Sequence, residues 1–306
     1  MSVSSFNNGK IVSVIIPFHN REVMLNGLLA SIPDHPGIEV ITVNDHSVDD
    51  VEIHHIYNEA SHLRLSCPDG ARYAGSARNF GLSHASGKYV FFADSDDLID
   101  AEAFLSAVNS IEELGNPDVL YCHITSFWDG TDLVGTRHVG FEAFRTLAEV
   151  SGNKDPLVKL HCPVGKFVRR EFIRENLIRF SETEVSNDVL FNLHLCKANG
   201  NIRFSEQVVY KIRQGNASLT SVTSVNRIKT RFKIQEEYND ELIGMGKRHL
   251  RSAGVVYLLQ MTKADLSEAV GLAWRCLIGP TPFLLPIQAL RNRKLKRAYM
   301  SSMAIK

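Results

Sequence analysis

The 306-residue chain is poor in cysteine, with five, Cys67, Cys122, Cys162, Cys196 and Cys276, and no two of them form a CxxC pair. That scatter argues against a zinc knuckle or a disulfide framework and suits a reducing compartment. No apolar run approaches the length of a transmembrane helix. Met1 to Lys10 is polar and lacks the apolar core of a signal peptide, so a cytoplasmic location is expected. Excess charge is missing too: 34 basic residues face 34 acidic ones, and no nucleic-acid partner is expected. No G-x-G-x-x-G follows the first apolar run, and no G-x-x-x-x-G-K-[ST] occurs anywhere, which argues against dinucleotide and P-loop sites. None of the 12 histidines pairs at helical metal-ligand spacing with an acidic partner, and His54-His55 reads as a solvated helix face.

One absence is local. After Glu268 there is no acidic side chain, while Arg275, Arg291, Arg293, Lys294, Lys296, Arg297 and Lys306 are interleaved with Trp274, Leu277, Ile278, Phe283, Leu284, Leu285, Ile287 and Leu290. A basic segment of this kind can lie on an anionic membrane surface, here through residues 269–306 at the inner face of the cell membrane. The same spacing fits a C-terminal helix packed on the domain with a solvated basic end.

What is present is a regular first half. Ile11 to Ile16 is an apolar run closed by Pro17 and reads as a buried strand. Asn20 can cap a helix whose Leu25, Leu28, Leu29 and Ile32 recur at helical spacing. Ile38 to Val43 is a second strand with Asn44 to Ser47 as its exit loop, and Asp49 and Asp50 suit the first turn of another helix. Leu63 to Ser66 reads as a short strand, Ala74 to Ser86 as a helix, Lys88 to Ala93 as a strand, Ala101 to Leu114 as a helix, and Pro117 to Ile124 as a fifth strand. Alternation of this kind predicts an α/β fold: a mostly parallel, Rossmann-like central sheet flanked by helices. Beyond residue 125 the pattern loosens. Thr125 to Gly140 reads as a loop or hairpin, 157–186 as a segment across the sheet edge, Phe141 to Val150 and Asp188 to Ala198 as helices, and Asn226 to Leu259 as charged and helix-prone.

The densest chemical signal is Tyr89-Val90-Phe91-Phe92-Ala93-Asp94-Ser95-Asp96-Asp97, where a strand-like run ends in three carboxylates within four residues. Anions this close repel unless a cation or hydrogen-bond donors hold them. Their hard oxygens suit Mg²⁺ or Mn²⁺ with substrate phosphates completing the shell, although a solvated acidic turn fits the local sequence equally. Topology adds weight. Ligands of open α/β sheets bind beyond the carboxyl ends of the strands, where Pro17 to Asn20, Asn44-Asp45 and Asp94 to Asp97 all fall.

Four segments in order, Val14-Ile15-Ile16-Pro17-Phe18-His19-Asn20, Val43-Asn44-Asp45-His46-Ser47-Val48-Asp49, Ala77-Arg78-Asn79-Phe80-Gly81-Leu82 and Phe92-Ala93-Asp94-Ser95-Asp96-Asp97, give residues 1–125 a resemblance to the family 2 glycosyltransferases of the GT-A fold. The likeness continues more weakly through Cys162 to Phe191 and Tyr210 to Thr220, and is to bacterial enzymes that build capsule, O-antigen or other surface polysaccharides. It implies a metal-dependent, inverting transfer, of hexosyl type, from a UDP-sugar to a glycan or lipid-linked oligosaccharide, with Mn²⁺ or Mg²⁺ as cofactor. Residues 1–125 would form the nucleotide-sugar half of a GT-A domain and 126–225 its acceptor-side half, with 226–306 a helical C-terminal extension ending in the basic tail.

By the same resemblance, Pro17, Phe18, His19 and Asn20 would line the nucleotide pocket, and Asp45 would accept a hydrogen bond from the base. Gly75 would let the backbone approach the nucleotide, and Arg78 would brace the pocket through its carboxylates or the diphosphate. Asp94, with Ser95 beside it, would face the ribose. Asp96 would bind the metal, and Asp97 would share it or order the loop. Arg213 would steady the leaving group, a role for which Lys166 is a further candidate. The family's catalytic base comes from a Glu-Asp pair; here Asn187 stands in the Glu position and Asp188 is the candidate base, with Glu182 and Glu184 nearby. Two other readings remain: a non-catalytic sugar-nucleotide-binding protein, and a D-x-D phosphohydrolase, whose motif belongs after the first strand rather than the fourth.

Overall fold

A computed structural model describes residues 9–47, 52–53, 61–131, 133–215 and 224–283. The helix expected at Asp49 and Asp50, Ser218 within the expected Tyr210 to Thr220 segment, and the tail beyond Phe283 lie outside them. The first elements are β1 (Val12–Phe18), α1 (Glu22–Ser31), β2 (Ile38–Asn44), β3 (His62–Ser66), α2 (Tyr73–His84), β4 (Tyr89–Phe92), β5 (Leu98–Ile99), α3 (Ala101–Glu113) and β6 (Val119–Trp128). They are followed by α4 (Val139–Ser151), β7 (Lys166–Arg169), α5 (Arg170–Glu175), α6 (Val189–Lys197), β8 (Ile202–Gln214), α7 (Val225–Gly244), α8 (Val255–Ala264) and α9 (Leu266–Ile278).

The chain divides into two compact units. The first comprises Met1–His138, Pro163–Glu182 and Ala198–Gln214. It holds one sheet in the order β3-β2-β1-β4-β7-β6-β8-β5. The α/β expectation holds, with a qualification. β3, β2, β1 and β4 run parallel, as do β6 and β8, but β7 is antiparallel to β4 and β6, and β5 to β8. The sheet is therefore mixed. β7 has no local signature as a central strand; it is four residues long and pairs with segments far away in sequence. The expected loop or hairpin after Ile124 is part strand: β6 continues to Trp128, and Phe127 bridges back to Val134.

All seven residues of β1 and all four of β4 are buried, as their unbroken apolar character requires. Phe91 of β4 meets Phe104 of α3 and Phe167 of β7 with ring centroids 5.0 and 4.9 Å apart, which ties the central strands to the helix behind them. α2 comes close to the sheet at Gly81, where a Cβ would stand 2.7 Å from Ile15 Cγ2 and 3.1 Å from Val43 Cγ2. Asp100 caps α3 by accepting from Ala103 N at 3.2 Å.

The second unit comprises Val139–Cys162, Thr183–Lys197 and Gly215–Lys306. Its described core has two clusters, one around Val158, Leu193, Ile234, Tyr238 and Leu242, the other around Ile228, Phe232, Met261, Leu272 and Cys276. The charged stretch expected to be helical forms α7, capped by Ser224, then breaks before α8. Gly246, at φ +72°, takes the left-handed conformation that this break needs. No helix among the described residues is long and apolar enough to cross a membrane.

Lys159 lies in this core. Its ammonium donates to Leu250 O and to Ser252 Oγ and sits 5.2 Å from the ring centroid of Tyr238. Burial pushes its pKa down from 10.5 to about 8. Between these two values the unfolded chain holds a proton that the folded one has released, so folding becomes more favourable as pH rises through the window, and that stability is lost as pH falls through about 8. In urea unfolding across this range, the wild type should gain stability relative to Lys159→Met from pH 8 upward, with the two curves parallel below it.

Candidate functional site

The parallel order β2-β1-β4 places the carboxyl ends of three strands side by side. Pro17 is in register with Val43 and Phe18 with Asn44. The loops that follow are bonded to each other. Asp45 N donates to Phe18 O at 2.7 Å, and His19 Nδ1 donates to Asp45 O at 2.6 Å. Asn20 N donates to Ser47 Oγ at 2.8 Å, and Ser47 N to Asn44 Oδ1 at 2.9 Å. This network corrects the expectation that Asn20 caps α1. Asn20 and Arg21 both adopt the left-handed conformation, at φ 55° and 62°, and Arg21 occupies the cap position with no side-chain cap bond. With its N–H bonded to Ser47, Asn20 serves the loop junction instead.

Asp45 is mostly buried, its side chain 16% exposed, and Oδ1 accepts from Tyr73 N at 3.1 Å. Tyr73 opens α2 at φ 73°, and two turns of that helix carry Gly75, Ser76, Arg78 and Asn79, all buried. Asn79 exchanges two hydrogen bonds with the backbone of Phe180, at 2.9 and 3.0 Å, pinning the segment before Glu182 to α2. Cys67 lies at the same edge, but burial, with the negative charges of Asp45 and Glu182 behind it, raises its pKa to about 11. A thiol so far from ionisation is a poor nucleophile.

The acidic loop follows β4, and each of its three carboxylates has a different partner. Asp94 Oδ1 pairs with Arg78 NH2 at 2.5 Å, and the Arg78 guanidinium also stands 5.3 Å from the Phe180 ring centroid. Asp96 pairs with Arg21. Asp97 is buried and accepts from Arg213 N at 2.7 Å and from the Tyr210 hydroxyl. Burial pushes the Asp97 carboxyl well above the usual range, repulsion from Asp94 and Asp96 adds to this, and the bonds from Arg213 and Tyr210 oppose it. The Tyr210 hydroxyl also accepts from Asp94 N at 2.8 Å. Arg213 Nε reaches Asp96 O at 2.6 Å and its NH1 reaches Asp129 at 2.5 Å. β8 supplies Tyr210 and Arg213 because β5, directly after the loop, pairs with it at Leu98↔Lys211 and Ile99↔Tyr210.

Pro17, Phe18, His19, Asn20, Asp45, Gly75, Arg78, Asp94, Ser95, Asp96, Asp97 and Arg213 thus all belong to the first unit. Asp188 belongs to the second, immediately before α6, with its carbonyl accepting from Asn192 Nδ2 at 2.9 Å. Asn187 Nδ2 reaches Thr183 O at 3.5 Å, and Glu184 is paired with Arg227 at 2.6 Å. Lys166 is fully buried over the Tyr121 ring, at 5.2 Å, as part of the sheet interior. Two residues have no role in the sequence reading, although Tyr210 opens one segment of the weaker likeness. Arg21 carries no pattern beyond being a cation beside a strand-end loop, and Tyr210 reads as one more aromatic in a strand.

Asp94 and Asp96 are each about one-third exposed, at 37% and 32%, and present hard oxygens of the kind a Mg²⁺ or Mn²⁺ ion takes from one or two carboxylates, the rest of its shell being phosphate and water. Arg78 and Arg21 add cations that can meet a diphosphate. Tyr210 should be the structural key to this arrangement. Tyr210→Phe leaves the Asp94 N–H and the Asp97 carboxyl each short of a partner, and a loss of about 1–3 kcal/mol in urea unfolding is expected.

The model of glycosyl transferase family 2 matches residues 13–177. Among curated proteins, the minor teichoic acid biosynthesis protein GgaB of Bacillus subtilis strain 168 is 28% identical over 243 residues, which is 74% of this chain and 25% of GgaB. The poly(ribitol-phosphate) beta-N-acetylglucosaminyltransferase TarS of Staphylococcus aureus strain Mu50 is 31% identical over 189 residues, covering 59% of this chain and 31% of TarS. The chain therefore spans a quarter to a third of the length of these two relatives. Among solved structures, S. aureus TarS 1-349 in complex with UDP-GlcNAc superposes with a TM-score of 0.60 at 20% identity, over 86% of this chain and 75% of that one, and shares the fold.

Proposed function

Because the chain belongs to glycosyl transferase family 2, we propose that it transfers a sugar from a UDP-sugar to a hydroxyl of a bacterial surface glycan or lipid-linked oligosaccharide, with inversion at the anomeric carbon. One observation carries this reading: the loops after β1 and β2 are bonded to one another, and the acidic loop after β4 is tied to the first of them by Arg21 and Asp96 and to α2 by Arg78 and Asp94. UDP as the nucleotide is supported by Asp45, an acceptor suited to the N–H of a uracil ring, and by the UDP-GlcNAc bound in the TarS structure of the same fold. The names of GgaB and TarS support a surface polymer as acceptor.

In this reading Pro17, Phe18, His19 and Asn20 flank the nucleotide and Gly75 gives it room. Asp94 and Ser95 face the ribose, with Arg78 holding the Asp94 carboxylate in place. Asp96 holds the divalent ion; of the two roles open to Asp97, its buried bonds to Tyr210 and Arg213 favour ordering the loop. The bound ion would neutralise charge on the departing diphosphate. Arg213 supports the same corner by fixing the Asp96 carbonyl. Asp188 takes the proton of the acceptor hydroxyl as general base, an assignment that rests on the likeness of Ser186 to Phe191 to the family segment. With one base and one displacement, the configuration inverts.

The test is UDP release from a panel of UDP-sugars with Mn²⁺, with and without acceptor. Turnover should fall about 10²- to 10³-fold in Asp96→Asn. Asp188→Asn should lose transfer yet keep UDP affinity within about twofold, because a base acts on the acceptor and not on the nucleotide. UDP binding without turnover in the wild type would mark a non-catalytic binding protein, and absence of UDP binding would remove the proposal. Arg21 occupies the carboxylate that the ion needs. In Mn²⁺ titrations followed by electron paramagnetic resonance without nucleotide, Arg21→Ala should bind the ion several-fold more tightly, since removing an ion-pair partner frees Asp96.

A further inference from the structure

α9 is apolar on two faces. Ala269, Leu272 and Cys276 pack inward against Ile228, Phe232 and Met261. The other face is left open: Leu266, Val270, Trp274, Leu277 and Ile278 recur at helical spacing and are 61–70% exposed. α8 adds Val256 and Leu259, 57% and 59% exposed. Seven large apolar side chains this open on two successive helices make a patch of the kind that marks an interaction surface. Of the acids of this region, Glu268 is paired with Lys229 and Glu236 with Arg275, and Asp265 caps α9 by accepting from Ser267 N and Glu268 N.

The charge pattern decides among occupants. From Ala269 to Lys306 there is no acidic residue, and Arg291, Arg293, Lys294, Lys296 and Arg297 fall within seven positions. A second copy of this chain, with its balanced charge, offers no reason for so basic a sequence after the helix. An anionic lipid surface does: it takes the apolar stripe at the headgroup boundary and attracts the basic residues that follow the helix in the sequence. Trp274 in the middle of the stripe is the side chain suited to that boundary.

We propose that the exposed face of α9, extended by Val256 and Leu259 of α8, is a peripheral membrane-docking surface for anionic bilayers. It is independent of the transfer reaction and needs no donor or acceptor to be present. The experiment is flotation of the full chain with phosphatidylcholine vesicles with and without phosphatidylglycerol, read also by the emission of Trp274 in a Trp128→Phe background. Binding to the phosphatidylglycerol vesicles alone, a blue shift on binding, and a loss of about tenfold or more in Val270→Asp and Leu277→Asp at unchanged thermal midpoint are expected. The two positions are 67% and 70% exposed, so neither substitution disturbs the core. No binding to anionic vesicles overturns the proposal. So does binding that both substitutions leave intact, which places contact elsewhere, and so does a concentration-dependent dimer that the substitutions dissociate without any vesicle binding.

Discussion

Three carboxylates within four residues set the terms for the first unit. Two unit charges 4 Å apart repel by about 4 kcal/mol at the effective dielectric of a protein surface, more than one tight turn can withstand. The loop at Asp94, Asp96 and Asp97 is ordered because every carboxylate has its own partner, drawn from a different part of the chain: Arg78 from α2, Arg21 from the entry to α1, and Tyr210 with Arg213 from β8. The last of these comes more than a hundred residues later. The loop is therefore a product of the completed sheet, and the two-residue β5 is the device that brings it against β8.

The three acids are not equivalent once placed. Asp97 is buried, its pKa raised by desolvation, and its oxygens accept from Arg213 N and Tyr210. Asp94 and Asp96 stay partly open, each faced by an arginine. An arginine opposite a carboxylate does two things here. It relieves repulsion in the free protein, and in the proposed reaction it would supply a fixed cation to a diphosphate once that carboxylate turns to another partner. One acid is locked into the sheet and two stay accessible, a separation that the bare spacing of the motif does not reveal.

Sequence was most informative where a local property determines structure. β1, β2 and β4 announce themselves by apolar runs with no charge, and the rule that ligands sit beyond the carboxyl ends of parallel strands was enough to gather Pro17 to Asn20, Asp45 and Asp94 to Asp97. It was least informative where pairing is long-range. β7, which follows α4 in the sequence, enters between β4 and β6, and nothing in Lys166 to Arg169 marks it as central. Asn20 has the chemistry of a helix cap, but its amide is taken by Ser47, whose own amide is taken by Asn44. Tyr210 is invisible as a site residue because its role depends on its register with Ile99.

The basic tail had two readings that competed for the same apolar residues, packing on the domain or lying on a lipid surface. Among the described residues, α9 divides the ones it carries between two faces. A helix that only packs needs one apolar stripe, and Ala269, Leu272 and Cys276 already supply it with small and medium side chains. The larger ones, Trp274, Leu277 and Ile278 among them, are on the side where packing does not use them. Leaving that much apolar surface in water costs solubility unless something covers it, and polar substitutions there would leave the inward stripe untouched. The second stripe is thus a feature that packing of α9 on the unit does not require, and it stands at the start of an acid-free, arginine-rich stretch of sequence.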